Sequence, residues 1–454
     1  MVILAVYGAI LAAFIVAVFF RPSRALAGVL CLYPLKQWAM ASHPWLLQNR
    51  TMTNYAMAVI VLFAVLVTFL RRGGKIGGYT KVGWLTFALY AFAASTYAWT
   101  ISQAAFLEQW GLWWPYVVTF LPLVPFLIRD ADDAHDALIA TMAFAAVLMP
   151  LLMFTVTWRY RHIVFVQHIK SAGAEGNPLT IASMCGYAMI AGTLLMFRKG
   201  LAPFWQVVRW SVVVLGFALM VRSGSRGPLL AVMVTLLVFL PLSRRIRDVG
   251  QFFAVGCTAL VLLVIAGWAW DQYAHRDRWD AARMTADMLG PRFGTSMNVL
   301  NRWAEGGPVV WLFGFGNSGS FNKEVNGWYP EVLPAEVFGE LGLVGFSMYV
   351  AIVGITLSQI PRVYRLVKPY EYERGVFAAL AGIFVFEMLQ TFKGGSLLTN
   401  SVFFIIAILL VRYCAFITRQ VQAIEQEHLL QPVEEEQAQA LAPGYSYWPE
   451  GARA

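Results

Sequence analysis

Long runs of apolar residues, separated by short polar segments, follow one another along most of the chain. The runs are continuous and do not alternate between apolar and polar positions, and most are long enough to cross a hydrocarbon core of about 30 Å. Inside a bilayer only helices and closed barrels satisfy every backbone hydrogen-bonding group, and continuous runs favour helices. The pattern therefore predicts an all-α polytopic integral membrane protein with about thirteen transmembrane helices, in a range of about twelve to fourteen.

The runs also divide the chain into regions. We predict spans near Val2–Phe20, Leu26–Met40, Asn54–Leu70, Gly83–Ser102, Leu112–Ile128, Ala137–Trp158, Pro178–Phe197, Phe204–Val221, Pro228–Leu242, Gln251–Trp270, Ala335–Ile360, Gly375–Gln390 and Leu397–Cys414. Residues 1–270 would hold the first ten helices, 271–334 a long outer loop with short helices, and 335–417 the last three helices. Residues 418–454 are acidic and rich in glutamine, which indicates a disordered cytoplasmic tail.

Composition agrees with this pattern and excludes some classes of function. Only 13% of the residues are charged, against about a quarter in an average soluble domain. The net charge of +9 sits largely in short loops, which argues for membrane orientation and against a nucleic-acid partner. The four cysteines lie far apart inside apolar runs and match no metal-ligand or disulfide spacing, so neither a metal nor a cofactor is predicted.

The distribution of lysine and arginine predicts which loops share a side of the membrane. Every second loop is basic, and by the positive-inside rule these loops face the cytoplasm: around Arg21 and Arg24, Arg71 to Lys75, Arg198 and Lys199, Arg244 to Arg247, and Arg362 to Lys368. The loop Arg129–Asp136 falls on the same side despite its acids. The outer side then holds residues 159–176, 222–226, 271–334 and the short loop around Lys393.

Outer arginines form the first group of candidate functional residues. Arg222 and Arg226 flank the sequence Ser-Gly-Ser between two spans, where arginine and the next helix's N-terminus can bind phosphate. The alternative is that they reach lipid headgroups. On the long outer loop Arg292 and Arg302 have few acids nearby, whereas Arg276, Arg278 and Arg283 can pair with Asp277, Asp280 and Asp287. Further candidates for substrate contact are Arg161, His162 and Lys393, with lipid headgroups as the alternative for the first two.

Acidic residues at the end of the long outer loop form the second group. Glu331 lies just outside the membrane, and Glu336 and Glu340 are four residues apart on one face of the entering helix. A partly desolvated carboxylate can accept a proton from a sugar hydroxyl. The alternative is that these glutamates pair with the outer arginines. Lys36 and Glu387 lie within predicted spans, where they are either functional or close enough to an interface to reach it.

Three short motifs carry a resemblance to a known family. Ser-Gly-Ser-Arg-Gly at 223–227, Leu-Phe-Gly-Phe-Gly at 312–316 and Glu-Leu-Gly-Leu-Val-Gly at 340–345 resemble the O-antigen ligase and polymerase superfamily in order and spacing. The resemblance implies a GT-C-like glycosyltransferase in the bacterial inner membrane with its active site facing the periplasm. Such enzymes take a glycan from undecaprenyl pyrophosphate without a metal ion or cofactor. By resemblance, Arg226 and Arg292 would hold the pyrophosphate.

One departure from the family pattern decides which activity we expect. Ligases carry a His-Asn pair about eleven residues before the glycine that matches Gly342, whereas this chain has Glu331-Val332. We therefore expect a metal-independent inverting transfer with Glu331 as base, polymerising repeat units of O-antigen or exopolysaccharide onto a glycan or lipid-linked acceptor. The alternative activities are O-antigen ligation to lipid A–core and glycan transfer to protein. A lipid-linked saccharide flippase is the alternative of another class, but it would need polar residues spread along several spans.

Overall fold

The computed structural model describes residues 2–73, 78–159, 162–165, 176–197, 202–243, 264 and 281–430, with the backbone alone at 202, 281–292 and 424–430. The α-helices are α1 Val2–Phe20, α2 Ala25–Ser42, α3 Pro44–Gln48, α4 Met52–Arg71, α5 Lys81–Ser95, α6 Gln103–Trp114, α7 Leu121–Leu127, α8 Ala131–Phe154, α9 Pro178–Leu194, α10 Ala202–Arg222, α11 Arg226–Ser243, α12 Ala281–Glu305, α13 Gly307–Phe313, α14 Leu333–Val367, α15 Glu371–Gln390 and α16 Ser401–Leu430. A π-helical segment, Pro115–Phe120, joins α6 to α7. The strands β1 Trp158–Arg159 and β2 His162–Ile163 form a short antiparallel hairpin.

Eight of these helical segments are long and apolar enough to cross a membrane. They are Val2–Phe20, Met52–Arg71, Gln103–Leu127, Ala131–Phe154, Pro203–Arg222, Arg226–Ser243, Leu333–Val367 and Ser401–Ala423. The predicted all-α, multi-pass architecture is confirmed at this level. The helices α2, α5, α9 and α15 coincide with four further predicted spans but are shorter or less apolar. The predicted span Gln251–Trp270 lies outside the described residues, so thirteen spans remain a prediction.

Some predicted boundaries differ from the observed ones. Helix α16 continues to Leu430, past the boundary predicted at residue 417, so the first part of the expected disordered tail is helical. The amphipathic helix predicted over Asp277–Gly290 is described from Ala281 and continues to Glu305, because its apolar side extends through Val299, which is buried. The predicted span Gly83–Ser102 is interrupted, since α5 ends at Ser95 and a 3-10 turn follows.

The loops within the described residues fall into two groups at opposite ends of the helices, as the charge distribution predicts for them. At one end Arg21 pairs with Asp136 at 3.4 Å and Arg72 with Asp133 at 3.3 Å, which places the acidic loop after Ile128 beside two basic loops. At the other end the Gln37 side-chain amide donates to the Asn177 carbonyl at 3.0 Å. The second group of loops forms what we call the outer end of the molecule.

A buried polar contact joins α9 to α15. The Tyr187 hydroxyl of α9 donates to the Glu387 carboxylate of α15 at 2.6 Å, and Glu387 is 4% exposed. A hydrogen bond of this kind stabilises helix association where no water competes for the donor. Glu387 therefore links two helices. The other ionisable residue within a predicted span, Lys36, lies over the Tyr33 ring, 5.7 Å from the ring centroid.

Candidate functional site

The short connection between α10 and α11 places Arg226 beside the start of α9. Gly224 has φ +59°, a left-handed conformation that glycine adopts without steric cost. The Ser223 hydroxyl donates to the Ser225 hydroxyl at 2.9 Å, and the Ser225 hydroxyl donates to the Pro178 carbonyl at 3.3 Å. Arg226, the first residue of α11, is thereby held in a buried position, 9% exposed, next to the first turn of α9.

Lys393 lies across the first turn of α11. Its side-chain carbons and ammonium occupy the space that a β-carbon at Gly227 would need. The next residue, Gly394, packs against Leu179 in the first turn of α9. Lys393 and Arg226 therefore place two positive charges at the N-termini of α9 and α11, where the first backbone N–H groups also favour an anion.

Arg222 makes its own contacts at the end of α8, and its predicted contact with phosphate beside Arg226 stays a prediction. Its guanidinium donates to the Met153 carbonyl at 2.8 Å and lies over the Trp158 ring, 5.2 Å from the ring centroid. The reason is that α10 ends at Arg222 and the chain turns at Gly224, so the two arginines belong to differently directed helices. Arg222 ties the end of α10 to the end of α8.

His162 lies on the hairpin that returns to the start of α9. Its Nδ1 is 3.1 Å from the carbonyl oxygen of Gly176, the residue before Asn177, whose side chain caps α9. A carbonyl only accepts, so Nδ1 carries the hydrogen and Nε2 is the basic nitrogen of the neutral ring. His162 is thus positioned at the outer end of α9, whereas Arg161 lies outside the described residues.

Helix α12 lies against the segment that holds Glu331 at the turn that follows Arg292, whose side chain is outside the described residues. The hydroxyls of Thr295 and Ser296 donate to the Pro330 carbonyl at 3.2 and 3.4 Å, so the turn that follows Arg292 lies against the segment holding Glu331. Arg302 is ten residues beyond Arg292 and therefore about 15 Å further along the helix axis. Its side chain is exposed, so the structure does not bring Arg302 into the cluster as the sequence predicted.

Glu331 is held in an unusual backbone conformation two residues before the start of α14. It has φ +59°, and a left-handed conformation at a residue other than glycine costs of order 1–3 kcal/mol. Two residues later the Leu333 amide donates to the Thr391 carbonyl at 2.9 Å, and Lys393 is two residues beyond Thr391. Glu331 and Lys393 therefore flank the same hydrogen bond between two outer loops.

The other two glutamates serve as hydrogen-bond acceptors for the outer loops. Glu340 is 1% exposed, and its carboxylate accepts hydrogen bonds from the backbone amides of Ser318 and Ser320 at 2.7 and 3.0 Å. It also accepts from the Ser320 hydroxyl at 2.6 Å and from the Asn317 side-chain amide at 3.0 Å. Glu336 is 2% exposed and accepts from the Leu397 amide at 2.9 Å. Among the described residues neither glutamate forms an ion pair with arginine, contrary to the alternative considered from the sequence.

Backbone hydrogen bonds join the motif at 312–316 to the start of the motif at 340–345. The amides of Phe315 and Gly316 donate to the carbonyls of Gly339 and Glu340 at 3.2 and 2.9 Å. These carbonyls are available because α14 is interrupted at Gly342, where φ is +63° and ψ is −164°. The glycines of both motifs therefore allow the two backbones to approach closely. The loop after α13 is fixed in this way to the start of α14.

Comparison with known proteins assigns no family to this chain, so the functional argument rests on the geometry of the site. No family model matches the chain, and no curated protein matches it. In the described part of the chain, no group of three or more histidine, cysteine or acidic side chains is placed to hold a metal ion. The feature that bears on function is the pair of cations Arg226 and Lys393 at the first turn of α11, together with Glu331 on the loop that the bond between Leu333 and Thr391 joins to that of Lys393; we call these three residues the outer site.

The sequence alone missed the partners that shape the outer site. Gly227 matters because it leaves room for Lys393, and Asn177 and Ser225 matter because they fix the start of α9 against the start of α11. The available signal was the position of Lys393 on an outer loop and of Asn177 directly before Pro178, a sequence typical of a helix start. Their proximity depends on tertiary packing.

Proposed function

We propose that this protein is a GT-C-like, periplasm-facing glycosyltransferase that moves a glycan from undecaprenyl pyrophosphate to an acceptor and polymerises repeat units of O-antigen or exopolysaccharide. The observation that carries the proposal is the placement of Arg226 and Lys393 at the first turn of α11, beside the start of α9. Two cations and two helix N-termini suit a pyrophosphate, whose charge rises as it departs. Glu331 lies two residues before Leu333, whose amide donates to the Thr391 carbonyl, and we infer that its carboxylate faces that charge.

The proposed step is a direct displacement at the anomeric carbon. Glu331 accepts the proton of the acceptor hydroxyl, whose oxygen forms the new glycosidic bond. The bond between the anomeric carbon and the pyrophosphate oxygen breaks, and undecaprenyl pyrophosphate leaves with the bonding electron pair. Attack from the face opposite the leaving group inverts the anomeric configuration. Arg226, Lys393 and Arg292 stabilise the leaving pyrophosphate.

The described charges favour an enzyme over a flippase. The ionisable groups of the outer site lie at one end of the helices, and the buried Glu387 is bound to Tyr187 instead of lining a polar path. The polymerase is preferred to the ligase because Glu331-Val332 stands where ligases carry His-Asn.

The test is an assay with purified protein and an undecaprenyl-pyrophosphate-linked oligosaccharide, without divalent metal, with products resolved by gel and mass spectrometry. A ladder of lengthening lipid-linked glycans is the expected result. A single transfer to added lipid A–core or protein would replace the polymerase by the ligase or protein transferase. No release of undecaprenyl pyrophosphate with any acceptor would contradict the enzyme, and transport in liposomes would then test the flippase.

Charge reversal separates residues of the outer site from other outer arginines. We expect Arg226→Glu and Arg292→Glu to abolish transfer while membrane insertion persists, because each would repel the departing pyrophosphate. Arg302→Glu is the matched control on α12 and should retain near wild-type activity, since Arg302 is exposed about 15 Å further along that helix. A charge reversal at the buried Arg226 also affects folding. Gly227→Ala, which leaves Arg226 in place, is therefore a milder probe of the same site.

Gly227→Ala should displace the Lys393 side chain without removing a charge. Lysine is flexible and can move, so the fold should persist and activity should fall by up to about a hundredfold, as expected when a positioning group is displaced by about 1 Å. Lys393→Gln should give a similar loss, and the double variant little more than either single one. Full activity in both single variants would remove Lys393 from the phosphate site.

A further inference from the structure

Helix α13 exposes an apolar surface that the proposed function does not use. Its sequence, Gly-Pro-Val-Val-Trp-Leu-Phe, contains no charged residue, and none of its seven residues is buried. Val309 is 71% exposed, Leu312 47% and Phe313 41%. An uncharged helix with this much exposed apolar surface indicates a binding surface for an apolar partner.

The two tryptophan indoles at the corner between α12 and α13 donate hydrogen bonds within the protein. The Trp311 indole N–H donates to the Ala304 carbonyl at 3.0 Å, and the Trp303 indole N–H donates to the Trp311 carbonyl at 3.2 Å. An indole that faces water has no need of an internal acceptor, whereas one placed in hydrocarbon does. Both tryptophans of the α12–α13 corner therefore suit an apolar medium.

The surface of α13 is continuous with the membrane-facing side of α14. The end of α13 meets α14 at Gly342, where the Leu312 carbonyl would be 2.5 Å from an added β-carbon. The next residue, Leu343, begins a row of exposed apolar side chains with Val350 and Leu357, spaced by seven residues along a membrane-spanning helix. This row faces lipid if α14 crosses the bilayer, and α13 lies beside its outer end.

We propose that α13 is an interfacial helix that inserts into the leaflet at the outer end of the protein, with its exposed face against lipid acyl chains. The lipid surface is favoured over a protein partner because the end of α13 meets α14 at Gly342, directly before the row of exposed apolar residues that begins at Leu343. Since α12 precedes α13 and the loop held by Glu340 follows it, this contact sets the height of the outer loops above the membrane.

The experiment measures the environment of single nitroxide labels in vesicles of phosphatidylethanolamine and phosphatidylglycerol. The four native cysteines are replaced by serine, and Val309→Cys is labelled and compared with two references. Val350→Cys on α14 is the lipid-facing reference, and Lys323→Cys, an exposed position of the outer loop, is the aqueous reference. Accessibility to oxygen and to a water-soluble nickel complex is read for each label.

We expect the label at Val309 to match that at Val350, with high oxygen and low nickel accessibility, and the label at Leu312 to behave in the same way. A match between Val309 and Lys323 would overturn the proposal. The readout needs no substrate and no turnover, so its result is independent of whether the protein transfers glycan.

Discussion

Glu331→Gln is expected to lower kcat for glycan transfer by about 10²- to 10⁴-fold, the range for removal of a general base. The amide keeps the size of the side chain but cannot accept the proton of the attacking hydroxyl. Because Glu331 is only half-buried and its backbone conformation is unchanged by the substitution, the thermal unfolding midpoint should stay the same. Initial rates at saturating lipid-linked donor, in the metal-free assay, check this prediction.

The controls distinguish the carboxylate from the backbone that carries it. Glu324→Gln removes an exposed carboxylate from the same outer loop and should leave the rate unchanged. Glu331→Gly should be more stable than the wild type, because glycine adopts a left-handed conformation without strain, yet as inactive as the glutamine variant. A Glu331→Gln variant that turns over at the wild-type rate would assign the base to another group.

His162 is the residue to examine if Glu331 fails this test. Its Nδ1 donates to the Gly176 carbonyl, which leaves Nε2 as the proton-accepting nitrogen at the outer end of α9. The sequence did not single out His162 as a base because the family histidine lies in a different loop. The hydrogen bond from its Nδ1, and not its position in a sequence motif, makes His162 the second candidate for the base.

Apolar periodicity and loop charge predicted the parts of the fold that depend on local chemistry. A run such as Met52–Arg71 needs no tertiary information to be recognised as a helix that can cross a bilayer. The grouping of Asp133 and Asp136 with the basic loops followed from the alternation of spans, which the positive-inside rule oriented, and the pairs with Arg72 and Arg21 agree with it. Solvent and lipid fix these features, so a single sequence shows them.

The site depended on contacts between distant segments and was predicted only in part. Arg222 and Arg226 are four residues apart, yet the turn at Gly224 sends one towards Met153 and leaves the other at the start of α11. Glu340 was a candidate proton acceptor, but the backbone amides of Ser318 and Ser320 donate hydrogen bonds to its carboxylate. Spacing along the sequence cannot show that a candidate residue, such as Arg222 or Glu340, already makes hydrogen bonds to a distant part of the chain.

Gly342→Ala is expected to destabilise the protein by at least about 3 kcal/mol, through two effects that act together. An alanine would have to adopt φ +63°, and its β-carbon would lie 2.5 Å from the Gly314 amide nitrogen and the Leu312 carbonyl. Both neighbours are backbone atoms, so neither can rotate away. The thermal unfolding midpoint of the purified variant in detergent should fall, or the variant should not accumulate in the membrane.

Gly354→Ala in the same helix is the matched control. Its added β-carbon meets nothing within 4 Å and its backbone is helical, so alanine should be neutral or should stabilise by up to about 1 kcal/mol. Equal stability of the two variants would mean that α14 can continue through Gly342 as a regular helix. The Gly339 and Glu340 carbonyls would then be used within the helix, and the loop that α13 leads into would lose its attachment to α14.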